Sequence, residues 1–173
     1  MKYVISFTTS PLRIYKLEPV LNALVNQTRK PDLIVLNIPN RFKRTNERYV
    51  IPSFLKDKVT INEIKEDLGP ATKIVPTVEY LRRNGYDDDD TRIVYLDDDI
   101  RYQLTMLESY EKNIPDDDDS VYCCGGFIFL NLKINGIREH FKDCTIAEGY
   151  ASVCVKLSTF KDDFEHYMSK YLS

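Results

Sequence analysis

The 173-residue chain has no run of about eighteen apolar residues, so no segment of it is long enough to cross a membrane as a helix. It carries no excess of positive charge: 24 Lys and Arg stand against 27 Asp and Glu, for a formal net charge of −3. A nucleic-acid partner is therefore not expected. The glycine-rich phosphate loops of nucleotide-triphosphate and dinucleotide binders are missing. The two histidines, His140 and His166, lie in no metal-ligand pattern and read as structural or superficial. None of the four cysteines (Cys123, Cys124, Cys144, Cys154) forms a CxxC pair, and adjacent Cys123 and Cys124 suit neither a zinc site nor an ordinary bridge. Apolar neighbours such as Val121 and Val155 predict buried free thiols, and with them a reducing compartment. The opening MKYVISFTTS enters a strand pattern without an apolar leader, so no signal peptide is expected and a cytoplasmic setting is. Tryptophan is absent too. What remains, 43% hydrophobic and 29% charged, is ordinary for a globular chain and excludes a disordered or fibrous one. The length predicts one domain, 1–173.

Apolar runs alternate with helical patterns, the signature of an α/β sheet protein. Strands are predicted at Tyr3 to Phe7, Leu33 to Ile38, Val59 to Ile64, Arg92 to Leu96 and Tyr150 to Leu157, with two short apolar stretches around Gly125-Gly126. A helix from Leu17 to Gln27 places Leu17, Val20, Leu21, Leu24 and Val25 on one face, with Pro19 in its first turn. A second ends near Arg83, closed by Asn84-Gly85, and a third runs from about Gln103 to Asn113. Ser158 is placed to cap a last helix in which Phe160, Phe164 and Tyr167 share a face. Pro39 to Pro52 reads as a polar, basic loop.

The strongest feature is Ile93 to Leu96 ending abruptly in Asp97-Asp98-Asp99. Ligands of open α/β sheets bind beyond the carboxyl ends of strands, so a site belongs here. Clustered carboxylates repel one another unless a cation or donors compensate them. Oxygen ligands suit Mg²⁺ or Mn²⁺, which in turn gather phosphate oxygens. On an extended segment residues two apart face the same side, so Asp97 and Asp99 are expected to share an ion while Asp98 points away. An EF-hand is excluded, because Tyr102 stands where that loop needs glycine and Arg101 where it needs a ligand. The other acidic runs, Asp87 to Asp90 and Asp116 to Asp119, follow no comparable strand and read as solvated turns.

Three further segments carry polar chemistry. Asp67-Leu68-Gly69-Pro70-Ala71-Thr72-Lys73 delivers a carboxylate, a hydroxyl and an ammonium beside a helix N-terminus, a place that favours anions. Lys73 suits a phosphate and Asp67 a ribose or base, although helix capping with a surface lysine accounts for them equally well. Ser6 to Arg13 sets hydroxyls and an arginine around the end of the first strand, where a turn into a helix explains most of them. Glu148, beside Gly149 and before the last strand, can reach a cleft as a base or serve as a plain loop acid.

Taken in order, the Thr/Ser-rich end of strand one with Arg13, QTRKPDLIVLNIP, DLGPATK and IVYLDDDI resemble the GT-A-fold glycosyltransferases, whose Asp-x-Asp motif binds a metal and a nucleotide-sugar diphosphate. The match runs over roughly Tyr3 to Tyr102 and continues loosely through Gly125-Gly126 and Glu148-Gly149. The chain is also similar to glycosyltransferase domains of large DNA viruses of algae. The resemblance implies a GT-A-like (Rossmann-like) mixed, mostly parallel sheet flanked by helices, with a nucleotide-binding part near 1–102 and an acceptor-side part near 103–173. It implies that Asp97 and Asp99 hold Mn²⁺ or Mg²⁺ and the diphosphate, with Asp98 nearer the sugar or ribose. Thr8, Ser10 and Arg13 would line the nucleotide pocket, Asp67 the base or ribose, and Lys73 the diphosphate or sugar. Glu148 matches only approximately the acidic base of inverting members. The implied activity moves a sugar from a nucleotide-diphosphate sugar, UDP-linked by frequency within the superfamily, to a hydroxyl of a glycan or glycoprotein. Members often extend further after this glutamate, whereas this sequence stops at Ser173, so donor binding is the firmer expectation. Two other readings are a non-catalytic nucleotide-sugar binding module and a sugar-phosphate nucleotidyltransferase. The latter normally has a glycine-rich basic loop where Thr8-Thr9-Ser10-Pro11 stands.

Overall fold

β1 (Lys2–Thr8) is buried at every position from Tyr3 to Phe7 in the computed structural model, which describes residues 1–130, 133–137, 146–149 and 151–160. A strand buried on both faces needs cover above and below, and helices supply it. The chain continues through a 3-10 turn at Ile14–Lys16, α1 (Glu18–Val25), β2 (Leu33–Pro39), β3 (Thr60–Ile64) and α2 (Val75–Arg83). It goes on through β4 (Thr91–Tyr95), α3 (Met106–Asn113), β5 (Tyr122–Cys123), β6 (Gly126–Leu130), β7 (Lys133–Ile137), β8 (Ile146–Ala147) and β9 (Val153–Lys156). Six strands form a sheet in the order β3-β2-β1-β4-β9-β5. Its first four strands are parallel, while β9 runs antiparallel to both β4 and β5. A second, antiparallel sheet has the order β7-β6-β8. The chain is thus α/β, with a mixed and mostly parallel sheet flanked by helices.

Strand alternation sorts the core onto the two faces. Tyr3, Ile5 and Phe7 share one cluster with Leu21 and Leu24 of α1 and Leu107 and Tyr110 of α3. Val4, Val35, Ile93 and Val155 share another with Val78 and Leu81 of α2. Each of these fully buried aliphatic side chains contributes about 1.5–3 kcal/mol by leaving water. The α2 face also holds a buried polar network. Asn37 donates to Thr77 Oγ1 at 2.8 Å, and its own Oδ1 accepts from Asn62 at 2.8 Å. Ser6 Oγ lies 2.6 Å from Thr77 Oγ1 and donates to the Lys73 carbonyl at 2.6 Å. This network ties the end of β1 to the start of α2.

The predicted strands and helices are found where they fall on described residues, with β1 and β2 slightly longer than expected, β4 shifted by one residue, and β3, β9, α1 and α3 shorter. The regular part of α3 begins at Met106 rather than Gln103, and that of α2 follows a 3-10 turn over Gly69–Lys73. Gly85, at φ +72°, ends α2 in the left-handed conformation that glycine adopts without a Cβ penalty. Ser158 lies in a 3-10 turn, Leu157–Thr159, and the last helix expected beyond it lies outside the described residues, as do His140, His166, Cys144 and Tyr150. One expectation is corrected among the cysteines. Cys154 is buried and Cys123 partly so, but Cys124 is exposed, because it follows the short strand β5, whose outer side pairs with no strand among the described residues. Among the described residues no helix is long and apolar enough to cross a membrane.

Candidate functional site

The acidic triplet leaves β4 at the middle of the six-stranded sheet. The strand ends at Tyr95, and the chain turns at Asp98 and Asp99. The side-to-side alternation expected of an extended segment therefore does not reach these residues. Asp98 is the most buried of the three, at 8% side-chain exposure, against 35% for Asp97 and 59% for Asp99. Tyr102 pins the turn: its hydroxyl accepts from the Asp97 N–H at 3.0 Å and donates to the Asp97 carbonyl at 2.8 Å.

Two cations answer the three carboxylates. Arg13 Nη2 contacts Asp98 Oδ1 and lies 2.7 Å from Asp99 Oδ2. Lys73 Nζ lies 2.7 Å from Asp97 Oδ1, and it also donates to the Gly149 carbonyl at 2.6 Å. Lys73 is thus no surface lysine; its side chain is 14% exposed and lies 5.8 Å from the Tyr95 ring centre. Thr9 Oγ1 donates to Asp98 Oδ2 at 2.5 Å, so both oxygens of the buried carboxylate are engaged. Burial pushes the Asp98 carboxyl above its ordinary range, against the opposing pull of the Thr9 hydrogen bond and the Arg13 charge.

The remaining candidates occupy different positions. Thr8 Oγ1 donates to the Asn37 carbonyl at 2.9 Å, and the Ser10 carbonyl accepts from the N–H groups of Arg13 and Ile14, both at 3.0 Å. Asp67 is occupied with its own loop. Its Oδ1 accepts from Gly69 N–H at 2.8 Å and from Thr72 at 3.1 Å, and its Oδ2 accepts from Lys43 N–H at 2.8 Å. Glu148 lies beside Gly125: its N–H donates to the Gly125 carbonyl at 2.8 Å. A Cβ on Gly125 would meet Glu148 Oε2 at 2.7 Å, so a larger residue there would make this carboxylate move. The Lys73–Gly149 bond brings this glutamate's loop to the acidic turn.

Thr9, Tyr49 and Tyr102 belong to the rim and were not singled out by sequence. Tyr49 donates from its hydroxyl to the Thr9 carbonyl at 2.9 Å, and burial together with the nearby Asp67 and Asp98 charges raises its pKa. The run Thr8-Thr9-Ser10 offered three hydroxyls but no sign of which one faces an acid 89 residues away. Beside Asp98 and Asp99 a groove of about 990 Å³ opens between α1 and the 98–104 turn.

Asp97 Oδ2 and Asp99 Oδ1 accept no hydrogen bond among the described residues. Two open carboxylate oxygens suit a hard divalent ion that draws its other ligands from water and phosphate. Among the described residues no group of three or more His, Cys, Asp or Glu is gathered to hold an ion unaided. No protein-family model matches the chain, and no curated protein matches it. Function is therefore read from the site itself.

Proposed function

We propose that this protein is a GT-A-type glycosyltransferase that moves a sugar from a nucleotide-diphosphate sugar, UDP-linked by preference, to a hydroxyl of a glycan or glycoprotein acceptor. The observation that carries the proposal is the convergence of Asp97, Asp98 and Asp99 with Arg13, Lys73 and the Glu148–Gly149 loop at the carboxyl end of β4. Such a rim can take a diphosphate through its cations and, by way of a divalent ion, through its carboxylates.

Asp97 and Asp99 would hold Mn²⁺ or Mg²⁺, which when bound offsets charge on the departing diphosphate. Arg13 and Lys73 orient the diphosphate oxygens. Thr8 and Ser10 flank the nucleotide, and Asp67 serves its base or ribose while bracing the loop at Lys43. Asp98, fixed between Thr9 and Arg13, keeps the turn in register for the sugar. Glu148 takes the proton from the acceptor hydroxyl as the new glycosidic bond forms, so the anomeric configuration inverts. Cys124 and Cys154, which form no disulfide among the described residues, fit a reducing, cytoplasmic setting.

The test is a thermal-shift screen of nucleotide sugars with and without Mn²⁺, followed by transfer and donor-hydrolysis assays. A bound donor raises the melting temperature, by mass action on the native state. Asp97→Asn and Asp99→Asn are expected to lose the Mn²⁺-dependent shift, and Glu148→Gln to keep it while losing transfer. Wild-type transfer rates in both aspartate variants would remove the metal from the mechanism.

A further inference from the structure

We infer that Arg13 is a built-in counter-cation that competes with the divalent ion for Asp99 and yields only when a diphosphate arrives. The inference rests on the glycosyltransferase reading above and deepens it to how ion and donor are admitted together. One guanidinium nitrogen, Arg13 Nη2, bridges the buried Asp98 and the exposed Asp99. Asp98 is held from its other side by Thr9 and stays in place. Asp99, 59% exposed, has no other partner among the described residues, so Arg13 alone sets where its carboxylate rests. Arg13 itself is 44% exposed, and its side chain makes no other hydrogen bond among the described residues. Its guanidinium is therefore free to turn toward a stronger anion.

The charge balance gives the direction of the effect. Three carboxylates face two protein cations, Arg13 and Lys73, which leaves one net negative charge at the rim. A divalent ion that enters alone reverses that sign and stands beside a guanidinium that repels it. A diphosphate that enters with the ion draws the guanidinium off Asp99, since Arg pairs with phosphate in a bidentate manner. Asp99 is then open to the ion. Ion and diphosphate each raise the other's affinity by the same factor, as linkage requires.

Binding measured without turnover tests this. Free Mn²⁺ is counted by its electron paramagnetic resonance signal during titration of the full chain, with and without UDP as the diphosphate probe. In the wild type, UDP is expected to tighten Mn²⁺ binding by about tenfold, within the usual range of coupling between sites. In Arg13→Met, Mn²⁺ alone is expected to bind several-fold tighter than in the wild type, and the gain on adding UDP is expected to shrink. Arg13→Gln gives the same reading should the methionine variant fail to fold. If both variants bind Mn²⁺ alone no tighter than the wild type, while the wild type binds Mn²⁺ and UDP, the counter-cation role is overturned and the glycosyltransferase reading stands. A wild type that binds neither Mn²⁺ nor UDP overturns both.

Discussion

Lys73 and Asp97 form a 2.7 Å ion pair, and the same ammonium holds the carbonyl of Gly149 at 2.6 Å. The start of α2, the end of β4 and the loop before β9 thereby meet at one nitrogen. Replacing Lys73 by Met removes the charge and both bonds while keeping most of the side chain's volume. A charged group with partly screened partners contributes about 1–2 kcal/mol, after allowance for solvent around Asp97. Lys73→Met is therefore expected to lower stability by about that amount in urea titration. It should also speed hydrogen exchange at the Glu148 amide, which bonds to Gly125 beside the released loop. Unchanged exchange there would mean that Lys73 does not hold the loop.

Asn37 is the hub of the network beneath this site. It donates to Thr77 and Ser6 and accepts from Asn62, and all four residues are buried. Asn37→Ala removes three buried hydrogen bonds, each worth about 0.5–1.5 kcal/mol, although Ser6 and Thr77 keep one another and Asn62 keeps the Pro76 carbonyl. A loss of about 2–4 kcal/mol is expected from the lost bonds together with the cavity left behind. Thr77→Val removes one member without emptying the space and is expected to cost less. Equal losses in the two variants would contradict the hub.

Periodicity revealed the framework because burial repeats along the chain. The apolar face of α1, the runs that became β1, β2 and β4, and the Asn84-Gly85 stop all follow local rules. The acidic triplet was visible for the same reason: a buried strand has to end before charge begins. What holds the elements together was not legible, because it depends on polar side chains meeting across long sequence separations. Gln27, at the end of α1, is fully buried and accepts from the Leu107 N–H in the first turn of α3. Arg92, the second residue of β4, is fully buried and donates to the carbonyls of Pro115 and Asp118. The two outer acidic runs are largely exposed, as expected of solvated turns, but each also makes a surface ion pair that local pattern did not show: Asp119 with Lys156 at 3.0 Å, and Asp90 with the chain's amino terminus at 3.0 Å. Alternation also misled at the triplet, where the chain had already left the strand.

Tyr102 turns the end of β4 back on itself. Its hydroxyl both accepts from and donates to the backbone of Asp97, and burial raises its pKa, so it stays protonated. Tyr102→Phe keeps the ring and deletes both bonds. The expected loss is about 1–2 kcal/mol, the scale of a part-buried hydrogen-bonding group. Wild-type stability in this variant would show that the turn is held by other contacts.

Cys154 and Cys124 differ in environment, and alkaline conditions separate them. Burial pushes the Cys154 thiol up to about 12 from its ordinary 9.0, with nearby Arg92 pulling the other way. A pKa that is higher folded than unfolded favours the folded state below the unfolded value. The contribution of Cys154 is therefore complete below pH 9 and is lost as pH rises from about 9 toward 12, by up to about 1.4 kcal/mol per unit. Wild-type urea midpoints should fall faster than those of Cys154→Ala between pH 9 and pH 11, a comparison that cancels the tyrosine and lysine titrations common to both. Iodoacetamide at pH 8, read by mass spectrometry, should label exposed Cys124 quickly and Cys154 only after denaturation. Equal labelling of the two in the native protein would place Cys154 within reach of solvent and remove the basis for the alkaline effect.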